Sequence, residues 1–169
     1  MSNAFNARFI SNLSLDRLYR VYVERGEMFF IKIGGQAGVA VGVASQFGIV
    51  GALVLRSLKK RGDEKLAAKI ADLDRQHPSS QLSAHKQNFH AASTAVEHSS
   101  LEPAATIGAH GEHLGRWRLK IRDGKEMLFQ LETLEDMKAA HGLLPELGSA
   151  HANNVVWDPA KNTFAKKVA

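Results

Sequence analysis

Apolar and polar positions alternate most clearly at two places in the chain, and each place has a glycine-bearing turn at its centre. The first is Leu18–Val23, a turn at Glu24-Arg25-Gly26, then Glu27–Ile33. Such a spacing predicts a β-hairpin with a three-residue loop and a glycine bulge, pairing Val21 with Phe29 and Tyr19 with Ile31. The second is Arg116–Ile121, a turn at Arg122-Asp123-Gly124, then Lys125–Glu132. Here the same rule pairs Trp117 with Phe129 and Leu119 with Met127 on an inner face. Arg116, Arg118 and Lys120 then point outward, with Lys120 opposite Glu126.

Helical periodicity appears twice. From Asp63, a capping residue, to about Asp74, Leu66, Ile70 and Leu73 form one stripe, and His77-Pro78 ends the run. Ser79 and Ser80 start a further short helical turn through about Lys86. Thr133 and Asp136 resemble a capping box, and the helix that follows turns Leu134, Met137, Ala140 and Leu144 inward before Pro145 and Gly148. Asn88–Ser93 and Ala95–Leu101 are weaker strand candidates, and Ala104–Gly115 reads as a loop rich in glycine and histidine. Asn154–Asp158 and Thr163–Lys167 fit a short terminal hairpin.

One segment breaks the pattern. Gly34 to Leu55, GGQAGVAVGVASQFGIVGALVL, is twenty-two residues without a charge, followed by Arg56, Lys59, Lys60 and Arg61. As a helix it would reach about 30 Å, the hydrocarbon thickness of a bilayer. Gly34, Gly38 and Gly42 fall at intervals of four, with Gly48 and Gly51 beyond and Phe47, Leu53 and Leu55 among the apolar side chains. Glycine is costly in a helix unless a neighbouring surface must come close, so the segment is expected to pack tightly against something. Three readings compete: a membrane span with the basic cluster on the cytoplasmic side, a helix lying in the membrane interface, and a buried or oligomer-forming helix. A single crossing conflicts with the hairpins, because it separates them and neither is stable alone in water.

Hairpin, inserted helical region (34–87), two strands, hairpin and capped helix: this order resembles the bacterial pleckstrin-homology-like and GRAM-like domains. The residues that carry the resemblance are LYRVYVERGEMFFIKI at 18–33 and GRWRLKIRDGKEMLFQLETLEDM at 115–137. The resemblance implies an α+β fold, a bent antiparallel sheet closed by a C-terminal helix, over a single domain of residues 1–169. It also implies a binding or membrane-associated module and not an enzyme.

Composition narrows the chemistry. With 44% hydrophobic and 23% charged residues, the chain is ordinary for a soluble domain outside the one segment. The absence of cysteine excludes disulfides and thiolate metal sites. No secretory pattern is evident at the N-terminus, which favours a cytoplasmic protein, associated in the membrane readings with the inner face. The net charge of +5 is mild. It lets Arg56, Lys59, Lys60 and Arg61, and the stripe Arg116, Arg118 and Lys120, meet anionic headgroups, while a solvated strand face explains that stripe equally. Nucleic acid is not an expected partner, because few aromatics accompany the basic residues.

Of the eight histidines, His110 and His113, with Glu112 between them, are the closest pair, set among glycines that argue for a loop. A metal site there is the least favoured reading. No Walker loop, GxSxG elbow or HExxH occurs, and Gly34-Gly35-Gln36-Ala37-Gly38 lacks the lysine of a phosphate loop. No cofactor and no small-molecule substrate is identified. The expectation is therefore a non-enzymatic module that meets an anionic membrane or assembles through its glycine-rich segment, the alternative being a soluble homo-oligomeric scaffold.

Overall fold

The computed structural model describes residues 3–11, 16–35, 62–104 and 113–167. Strands β1 (Ala4–Ile10), β2 (Arg17–Glu24), β3 (Glu27–Gly35) and β4 (Phe89–Ala92) form one antiparallel meander. Strands β5 (Val96–Pro103), β6 (Gly115–Ile121) and β7 (Met127–Leu131) form a second. Pairing of β1 with β7 joins them, and β8 (His151–Asn153) adds a parallel edge on β5, giving an eight-stranded sheet ordered β4-β3-β2-β1-β7-β6-β5-β8. Helix α1 covers residues 62–73 and α2 Leu134–Leu143; β9 (Val155–Asp158) and β10 (Thr163–Lys166) make a separate ribbon. The α+β class and the largely antiparallel sheet are as expected, but the fold is not pleckstrin-homology-like: the sheet has eight strands in place of a small bent one, and β8, β9 and β10 follow the helix expected to close it at the C-terminus.

The sheet is curled. Four strand-to-strand steps separate β3 from β6, about 19 Å in a flat sheet. Yet Phe30 on β3 stacks on Trp117 of β6 with ring centroids 5.9 Å apart, and on Phe129 of β7 at 5.8 Å. The concave face therefore closes on a fully buried aromatic core that also holds Phe5, Val21, Val23, Leu101 and Leu119. Helix α2 plugs one end of the curl. Thr133 Oγ1 accepts from Asp136 N–H at its first turn, the backbone N–H of Asn6 donates to Asp136 Oδ1, and Met137 and Ala140 enter the core.

On the convex side, α1 lays Leu73, Leu66 and Ile70 against Tyr22, Phe29, Ile31 and Ile33. Strand β3 is thus buried on both faces, which explains why Met28-Phe29-Phe30-Ile31 is a continuous apolar run and not an alternating one. Arg20 reaches across to α1 and forks onto Asp74, with Nε at 3.1 Å and Nη2 at 2.7 Å.

Three sequence expectations change. The first hairpin has a two-residue loop, Arg25 (φ 52°) and Gly26 (φ 78°), so that Glu24 pairs with Glu27, Val21 with Phe30 and Tyr22 with Phe29. Both turn residues adopt positive φ, the geometry whose twist matches a hairpin, and this removes the expected bulge at the turn. An irregularity occurs instead at Leu18/Tyr19. Gly34 does not open a helix: it and Gly35 extend β3, paired with Leu18 and Arg17, because the ladder with β2 continues that far. Finally, both hairpins lie in one sheet, on one side of any bilayer, which removes the single-crossing reading.

Candidate functional site

Helix α2 closes one end of the curled sheet; the other end is open. There a cleft of about 340 Å³ is lined by Phe9, Tyr19, Phe89, Met127 and Phe129, with Arg17, Lys86, Gln87 and Asn88 at its rim. Its floor is continuous with the core, since Phe89 stacks on Phe30 at 4.1 Å and Tyr19 packs edge-on against Phe89 and Phe129. Four short-range constraints hold the rim. Asn88 Oδ1 accepts from Lys32 N–H at 2.8 Å and Asn88 Nδ2 donates to the Gln81 carbonyl at 2.7 Å. Tyr19 donates its hydroxyl to the Gln87 carbonyl at 3.1 Å, and Gln87 N–H donates to His85 Nδ1.

The charge at this end is one-sided within the cleft. Arg17 lies over the Phe9 ring at 5.7 Å, Lys86 is exposed, and among the described residues no carboxylate lines the wall. Gln87 Oε1 is buried without a hydrogen-bond donor. Tyr19, Met127 and Phe129 were legible as hairpin residues, but the cleft they share with Phe9, Phe89, Arg17 and Lys86 was not visible in the sequence. The cleft is assembled from β1, β2, β4, β7 and the segment before β4, which only the curl brings together.

A second polar constellation lies on the other meander. Trp117 donates its indole N–H to Ser99 Oγ at 3.0 Å, and Ser99 Oγ lies 2.8 Å from His151 Nδ1. Burial, with help from His141 and His98, pulls the His151 pKa down to about 4. A serine and a histidine in hydrogen-bond contact invite a nucleophilic reading. Ser99, however, is 0% exposed, and its oxygen already serves Trp117, so no substrate carbonyl can approach it.

The basic stripe is committed to carboxylates. Arg116 pairs with Glu102 at 3.1 Å, Arg118 with Glu102 and Glu126 at 3.1 Å each, and Lys120 with Glu97 at 2.8 Å. Lys120 takes Glu97 on β5 as its ion-pair partner, while Glu126 pairs with Arg118. Gly38, Gly42, Phe47, Gly48, Gly51, Leu53, Leu55, Arg56, Lys59, Lys60 and Arg61 lie outside the described residues, as do His110 and Glu112. His113 is buried, both ring nitrogens lack partners among the described residues, and burial and then Arg116 lower its pKa. Among the described residues no three His, Asp or Glu side chains gather to hold a metal, and no helix is long and apolar enough to cross a membrane.

No protein-family model matches the chain, and neither does any curated protein or solved structure.

Proposed function

We propose that this chain is a non-enzymatic binding module, which meets an anionic membrane surface on its cytoplasmic side through the open end of its curled sheet. The sheet joins a four-strand meander to a three-strand meander through β1 and β7, and the helix that follows β7 plugs one end. The observation that carries the membrane reading is where the chain leaves the sheet. Gly35, the last described residue before 36–61, pairs with Arg17 at the cleft rim. Lys69, donating to the carbonyls of Lys32 and Ile33, brings the chain back to that same end of β3. The apolar residues 36–55 and the cations at 56–61 lie outside the described residues and join Gly35 to residue 62 along the chain. Each lysine or arginine near an anionic surface contributes about 1 kcal/mol, so the cluster suffices for reversible attachment.

Flotation with vesicles tests this. The whole chain should float with phosphatidylserine-containing vesicles and less with phosphatidylcholine alone. A deletion of residues 36–55 that keeps its circular dichroism should stay at the bottom with both. Equal, lipid-free behaviour of the two forms would refute membrane contact.

A further inference from the structure

We infer that the cleft at the open end of the sheet is a binding site for a small amphiphilic carboxylate, one with an aryl or short acyl body. The inference goes beyond membrane contact and does not depend on it. Five apolar side chains, Phe9, Tyr19, Phe89, Met127 and Phe129, make a pit about 340 Å³ in volume, near the lower end of the range for small-molecule sites. Four of the five are aromatic rings, whose faces suit a flat or chain-like apolar body.

Polarity at the rim chooses the sign and the position of the head group. Arg17 and Lys86 have no ion-pair partner among the described residues, whereas Arg8, Arg20, Arg116, Arg118 and Lys120 all meet carboxylates. A guanidinium fork matches a carboxylate in plane, and an ammonium supplies a second point of attraction. Gln87 adds a third polar group. Its Oε1 is buried and unpaired, which is costly, and a half turn of the amide presents NH2 to an incoming carboxylate instead. A neutral body below and an anion above therefore satisfy every group that the cleft leaves open.

The site is already shaped for this. The hydrogen bonds of Asn88 to β3 and to Gln81, and of Tyr19 to Gln87, hold the 85–89 segment without a ligand. Binding then needs little ordering of the rim, which favours affinity. The walls come from four strands and a connecting segment over a floor of stacked rings, and the volume suits a compact molecule.

Calorimetry and nitrogen-15 NMR on the full chain, without lipid, test the inference with 4-phenylbutyrate and decanoate as probes. The expected result is saturable binding with shifts centred on the amides of Gln87, Phe89 and Met127. The neutral 4-phenylbutanol should bind at least tenfold more weakly than the acid. The double variant Arg17→Gln, Lys86→Gln, which changes only rim groups, should lose at least tenfold for the acid and nothing for the alcohol. Absence of saturation up to millimolar probe would overturn the inference, as would acid and alcohol binding alike or shifts centred elsewhere. Because no vesicles are present, failure here leaves the membrane reading standing, and a failed flotation leaves this one standing.

Discussion

Asp74, just past the last turn of α1, holds the Arg20 guanidinium of β2 with both carboxylate oxygens, and takes the Tyr22 hydroxyl on one of them at 2.8 Å. Arg20 is 8% exposed, so this is the fastening of α1 to the convex face of the sheet. Removing the carboxylate takes the two-pronged ion pair from a buried guanidinium that keeps its hydrogen bond to Asn6 Oδ1. Asp74→Ala should cost about 3 kcal/mol in urea unfolding, more than Tyr22→Phe at about 1 kcal/mol. Equal, small losses would show that packing of Leu66, Ile70 and Leu73 alone holds the helix.

His151 should make the protein acid-sensitive. Its folded pKa of about 4 lies below the unfolded value near 6.5, so the unfolded chain takes up the proton first as the pH falls. The stabilisation is complete above the unfolded value and is lost between roughly pH 6.5 and 4. His151 is partly exposed and solvent screens the cost, so the loss should be about 1–2 kcal/mol. Comparing the wild type with His151→Asn between pH 7 and 4 isolates it. Parallel stability curves for the two would reject the assignment.

Arg25 and Gly26 both hold positive φ, and a Cβ on Gly26 would lie 2.9 Å from Ser93 Oγ. Gly26→Ala should lose about 1–2 kcal/mol, while Arg25→Asn should gain a few tenths up to about 1 kcal/mol, since asparagine tolerates that conformation. Thermal melts of the two variants should move in opposite directions.

Gly115 begins β6 directly beneath α2. A Cβ there would meet Met137 Sδ at 2.4 Å and Cε at 2.6 Å. Gly115→Ala should cost about 1–3 kcal/mol through overpacking, and Met137→Ala about 2–5 kcal/mol through the cavity it leaves. The two residues touch, so the double variant should lose clearly less than the sum. Strict additivity in denaturant melts would mean that α2 moves aside without strain.

The contrast between the two hairpins shows what local pattern can carry. Trp117 with Phe129 and Leu119 with Met127 pair as the sequence predicts, because β6 alternates cleanly, apolar inward and charged outward. The first hairpin slips from its expected register because Met28-Phe29-Phe30-Ile31 is apolar on both faces and offers no alternation to count. Strand β1, with Ala4, Phe5 and Ala7 buried but Asn6 and Arg8 between them, passed unnoticed for lack of a turn signal on its N-terminal side. The cleft was illegible for a related reason. Its cations and aromatics, Arg17, Lys86, Phe9 and Phe129 among them, are scattered along the chain and carry no shared spacing.

The amino-acid sequence alone determined the elements whose causes are local: the hairpin turns at Gly26 and Gly124, the Leu66–Ile70–Leu73 stripe, and the Thr133 cap. These depend on backbone conformations and side-chain periods that a few neighbouring residues dictate. Only the tertiary structure decided the joining of β1 to β7, the curl that brings Phe30 onto Trp117, and the open end with Arg17 and Lys86 at its rim. Those follow from burying both faces of a twisted sheet at once, a requirement that residues far apart in the chain meet together and that no short stretch of it expresses.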